Sequence, residues 1–147
     1  MSEKKTFVKP EDVETQVFDW GRLNWLSEPL VTQAERFSCG VVTLEPGKGH
    51  ERHNHSYSEE ILYVIEGKGL QTVELPSGTL EKEITAGELV HIPTAIYHST
   101  INIGEELLKM IAIYAPFGPE AELRKMDGVH ILSAQNGAGE IVGFYQE

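Results

Sequence analysis

From residue 35 to residue 119 proline and glycine interrupt the chain at nearly regular intervals, and no helical period holds over a useful length. ERFSCGVVTLEPG (35–47) alternates in part and ends in the turn pair Pro46-Gly47. ILYVIEG (61–67) is apolar and β-branched and is closed by Gly67 and Gly69, while LQTVELPSG (70–78) runs into Pro-Ser-Gly. LEKEITAGE (80–88) alternates Leu80, Lys82 and Ile84 against Glu81, Glu83 and Thr85. LVHIP (89–93) stops at a proline, YHSTINIGEE (97–106) enters a turn, and LLKMIAIYAPFGP (107–119) is halted by two prolines. Strands of roughly 5–8 residues with turn chemistry every ~8–12 residues specify an all-β sandwich or barrel.

The flanks read differently. Residues 1 to 15 form a charged arm, and VFDWGRLNWLSEPL (17–30) carries both tryptophans, as expected of an ordered cover or an edge strand. PEAELRKM (119–126) predicts one or two helical turns with Pro119 at the start; the glycine-rich remainder has no clear pattern. No repeat or linker divides the 147 residues, so one domain is expected, with an N-terminal arm and cover over 1–34, a barrel over 35–117 and a C-terminal extension over 118–147 packing on it.

A formal net charge of −11 excludes a nucleic-acid backbone and an anionic membrane surface as partners, since both need clustered Lys and Arg. No run approaches the ~18 apolar residues of a membrane span, and the polar N-terminus lacks the apolar centre of a secretory signal. The single cysteine, Cys39, forbids an internal disulfide and suits a reducing compartment, so the cytoplasm is expected.

Three of the six histidines, His50, His53 and His55, fall within six residues, just ahead of Glu60 and an apolar run. Strand alternation would point His53 and His55 to one face, the spacing at which two imidazoles share a metal. Glu60 at the head of the next strand can face the same pocket, and GELVHIPTAIYHSTIN (87–102) brings in His98 after a tight corner. Imidazole with carboxylate suits Mn, Fe, Co, Ni or Zn.

Together the two segments resemble the paired motifs of the cupin superfamily. Gly47, His53, His55, Glu60 and Gly67 fill G-x5-H-x-H-x4-E-x6-G, and Gly87, Pro93, His98 and Asn102 match G-x5-P-x-G-x2-H-x3-N, with Ala95 where the pattern has glycine. The resemblance implies a small, single-domain, RmlC-like double-stranded β-helix (jelly-roll) barrel. It also implies one divalent transition metal ion per chain, held by His53, His55, Glu60 and His98.

Other residues have weaker claims. Alternation puts His50 on the opposite face or in the preceding loop; it and Tyr57, between the second histidine and the glutamate, are the sequence-near candidates for catalytic acid or base. Glu59 should point away from the ligands, His91 and Cys39 read as packed residues, Asn102 as support for the barrel corner, and His130 carries no argument. Ile61, Tyr63 and Ile65 lie opposite the ligand face, so a partner subunit in a homodimer, or residues 20–30, should cover them. Two functions follow. One is an enzyme of dioxygenase, decarboxylase or isomerase type acting on a small oxygen-rich molecule such as a sugar, keto acid or phenolic; this reading is preferred. The other is a module that binds or senses a small ligand at the same metal without turnover.

Overall fold

The computed structural model describes residues 4–135 and, as backbone only, 141–145. The parts of the C-terminal extension at 136–140 and 146–147 lie outside the described residues. Among the described residues, twelve strands form two antiparallel sheets. The larger has eight: β1 (Thr15–Phe18), β2 (Gly21–Ser27), β3 (Ser38–Leu44), β5 (Glu59–Glu66), β8 (Leu89–Ile92), β10 (Leu108–Ala115), β11 (Val129–Leu132) and β12 (Ile141–Tyr145), ordered β12-β11-β1-β2-β3-β10-β5-β8. The smaller holds β4 (Gly49–His53), β6 (Lys68–Leu75), β7 (Gly78–Thr85) and β9 (His98–Asn102), ordered β4-β9-β6-β7. This is a jelly-roll sandwich. Among the described residues a 3₁₀ turn at Pro10–Asp12 and two short α-helices, α1 (Pro29–Thr32) and α2 (Pro119–Arg124), complete it, and no described helix is long and apolar enough to cross a membrane.

Alternation decides the core. Along β10 the side chains of Leu108, Met110, Ala112 and Tyr114 are buried while their neighbours are half-exposed or exposed. Leu62 and Val64 on β5, Val42 and Leu44 on β3, and Val73 on β6 do the same from neighbouring strands. The chain changes sheets between β5 and β6 at Gly67, where φ is +97° and an added Cβ would stand 2.5 Å from the Leu107 carbonyl oxygen. Only glycine accepts both the left-handed backbone and that approach. At the change of sheet between β9 and β10 Asn102 donates to the carbonyls of Leu44 and Glu106 and accepts from the Gly104 amide, supporting the corner.

Residues 17–30 do not lie over the barrel. They form parts of β1 and β2, interior strands of the large sheet, and bury Trp25 completely. The Trp25 indole donates to Gln16, whose amide donates to the Glu120 carbonyl. Arg124 on α2 holds Glu14 at 2.7 Å and Glu28 at 2.6 Å. Burial pushes the Glu28 carboxyl up, and the Arg124 guanidinium opposes it. Because these residues sit in the sheet rather than on it, Tyr63 and Ile65 stay exposed on its outer face. Cys39 likewise is half-buried on β3 instead of in the core, with its thiol pushed up by burial.

Candidate metal centre

Four separate pieces of chain supply the donors. His53 ends β4, His55 follows in the loop, Glu60 is near the start of β5, and His98 opens β9. One donor atom from each lies within 4.8 Å of all the others. His53 and His98 face each other across the β4–β9 pair, with ring centroids 4.1 Å apart. His55 is off the strand, so alternation is not what brings it to His53. The Ala95 amide donates to the His55 carbonyl at 2.9 Å and the Asn54 side chain donates to the Ala95 carbonyl, tying this loop to the β8–β9 corner. Ala95 sits there with φ +68°, the left-handed conformation that glycine adopts without strain.

The donor atoms lack partners within the protein. His55 Nε2, Glu60 Oε1 and His98 Nε2 are buried and have no hydrogen-bond partner. Glu60 Oε1 stands 3.0 Å from His98 Nε2 and 3.6 Å from His55 Nε2, but neither approach is aligned as a hydrogen bond. A buried polar atom without a partner costs about 1–3 kcal/mol, and three converging on one point make such a site costly unless something fills it. Backbone carbonyls can only accept, so His53 Nδ1–H donates to Glu51 O at 2.6 Å and His98 Nδ1–H to Ile96 O at 2.9 Å. That fixes both rings with the Nε2 lone pair free, the arrangement that orients metal-bound histidines. Burial lowers His53 to about 2 and His50 to about 3 and lowers His55 as well, reinforced for each by neighbouring histidines. His53, Glu60 and His98 line a void of about 30 Å³, and His55 brings the fourth donor to it. The residues present fit a divalent ion.

Tyr114 was not legible as part of this group. It is buried opposite Glu60 in the β10–β5 register. Burial, followed by the charge and acceptor oxygens of the nearby Glu60, holds the phenol protonated far above its ordinary range. The signal available in sequence was its place as the last inward position of an otherwise apolar stripe in 108–115. Tyr57, by contrast, is 82% exposed. His50 departs from its expected placement, because the β4–β9 register shifts between His50 and His53, and the two rings stack at 3.5 Å. His91 is exposed and pairs with Glu59 at 2.8 Å on the outer face.

Similarity to known proteins agrees with this geometry. The family model described as Cupin domain matches residues 40–114. The polyketide synthase CurC of Streptomyces cyaneus is 29% identical over 120 residues, covering 82% of this chain and 75% of that protein. Oxalate decarboxylase OxdC of Bacillus subtilis is 33% identical over 82 residues, 55% of this chain and 21% of that protein. Among solved structures, the Lactobacillus farciminis oxalate decarboxylase formate complex superposes with a TM-score of 0.66 at 27% identity, over 71% of this chain and 31% of that one. This chain thus spans about a third of that decarboxylase's length. With the fold, the donor cluster and the match over half its length in agreement, the chain belongs to the cupin family.

Proposed function

We propose that this cupin holds one divalent transition ion through His53, His55, Glu60 and His98 and acts there on a small oxygen-rich molecule. The observation that carries the reading is the convergence of three buried, unpartnered donor atoms on one void. When bound, the ion supplies Lewis acidity toward an oxygen-bearing ligand at positions that the four side chains leave open. Mn, Fe, Co, Ni and Zn all suit three imidazoles with one carboxylate.

The chain's own residues do the rest. The Tyr114 phenol keeps its proton beside the Glu60 carboxyl group. Leu62, Val42 and Met110 wall the void with apolar surface and keep bulk water from it. His50 lines the same void as a neutral ring, and of the two sequence-near candidates for proton transfer it is the one the geometry favours. A decarboxylase or isomerase type of reaction, or dioxygenation, is compatible with such a centre; similarity to oxalate decarboxylases supports the first. That the Tyr114 phenol is held protonated, and so does not serve as a base, favours a second reading, a module that binds a small ligand without turnover.

Metal analysis of protein purified without added metal tests the centre, with about one transition ion per chain expected. Turnover of keto acids, catechols or sugar phosphates by the Mn(II), Fe(II) or Ni(II) form then supports the enzyme. Tight binding of one such compound with no turnover of any supports the module. We further propose that the exposed apolar face around Ile61, Tyr63 and Ile65 is covered by a second copy in a homodimer.

A further inference from the structure

The void at the donors and a much larger open cleft of about 650 Å³ beside it share three lining residues, Trp20, His50 and His53. Their rings form a near-parallel series that begins in the core. Phe18 and Trp20 have centroids 4.6 Å apart with 13° between planes, Trp20 and His50 4.1 Å with 5°, and His50 and His53 3.5 Å with 21°. His55, Glu60 and His98 are buried, whereas His53 is only partly so. The exposed side of the donor cluster is therefore the side on which these rings stack.

We propose that Trp20 and His50 form the gate of the metal centre, the removable wall between the donor void and the outer cleft. The inference rests on the metal reading above. The gate is made of side chains, because the backbone that carries Trp20 is pinned. Trp20 lies in the two-residue turn between β1 and β2, and the following Gly21 packs so closely on β3 that an added Cβ would stand 2.7 Å from the Thr43 carbonyl oxygen. Rotating the indole away from His50 joins the void to the cleft without moving either strand. A void of about 30 Å³ admits no organic ligand as it stands, so a substrate reaches the donors by this displacement. The size and shape of residue 20 then determine which molecules enter.

Stopped-flow uptake of Co(II) by the metal-free protein, and its extraction by excess EDTA, test the gate in wild type and in the Trp20→Ala, Trp20→Phe and His50→Ala variants. Trp20→Ala and His50→Ala are expected to speed both uptake and release about tenfold, the order expected from losing one stacked ring contact. Affinity should stay unchanged, and Trp20→Phe should remain within about twofold of wild type because a ring is kept. Faster release with unchanged uptake overturns the gate, since it marks residues that merely support His53. Wild-type rates in both alanine variants, each holding one ion per chain, overturn it as well. If Trp20→Ala loses its near-UV circular dichroism, His50→Ala decides alone, since it leaves Trp20 on Phe18. A wild-type protein that takes up no Co(II) removes the metal reading and the gate together, whereas normal loading with unaltered kinetics removes only the gate.

Discussion

At the scale of single residues, the donor cluster contains two rings, His53 and His55, that burial makes resist protonation. Replacing His53 and His55 together with Ala is expected to abolish metal binding, read as the loss of the transition ion in elemental analysis. The metal-free protein should also be sensitive to acid. His50 and His53 have folded values of about 3 and about 2, far below the ~6.5 of the unfolded chain. Above that value neither state is protonated at these rings and they leave stability unchanged. Below it the unfolded chain takes up protons that the native state excludes, so stability falls as the pH drops from about 6.5 toward about 3. Thermal melts of metal-free protein at pH 7.5, 6.0 and 5.0 should descend in that order; equal midpoints would refute the assignment. Ala95 offers a test of opposite sign. Its left-handed backbone costs about 1–2 kcal/mol, and glycine relieves this at an unfolded-state entropy cost of about 0.4–1 kcal/mol. Ala95→Gly should therefore raise the unfolding free energy by up to about 1.5 kcal/mol in urea titration.

At the scale of elements, short strands separated by turns were readable between residues 35 and 119, because glycine and proline mark strand ends through local sterics. β4 was not among them: GHERH has no apolar alternation, since it is an edge strand whose side chains face the site and the cleft. The irregularity in its pairing with β9 upset the parity argument for His50, because one shift in register moves every later side chain to the other face. β1 and β2 were seen as an ordered segment, yet their insertion beside β3 depended on partners over 100 residues away. Arg124 is one such partner. Arg124→Ala leaves Glu28 buried without its cation and should cost about 2–3 kcal/mol in urea unfolding, the loss being limited by protonation of the carboxyl. Full retention of stability would show that α2 is held by its apolar contacts alone.

At the scale of the whole molecule, the large sheet has one face in the core and one outside it. On the outer face Tyr63 lies opposite Ile111 and Ile61 opposite Ile113, with Val41 and Cys39 beyond them in the same rows. Four strands at about 4.8 Å spacing and about 26 Å of strand length give a patch of about 500 Å², a large part of one side of a standard interface. In a chain of net charge −11 the apolar middle of this face, between Lys109 and the Glu59–His91 pair, is where a like-charged copy can approach most closely. Light scattering should give twice the chain mass, and Tyr63→Glu with Ile65→Lys should give the monomer with metal content unchanged. A wild-type monomer at micromolar concentration would refute the homodimer.

The sequence by itself determined the all-β class, most strand positions and the identity of the four candidate ligands, because each depends on local residue chemistry and on fixed spacing. Only the tertiary structure decided how the ligands meet. His55 reaches the site from a loop held by the Ala95 corner, Tyr114 reaches Glu60 from the strand beside it, and Trp20 closes over His50 from a hairpin about 30 residues earlier. Those contacts come from the pairing of strands distant in sequence, which local pattern does not encode.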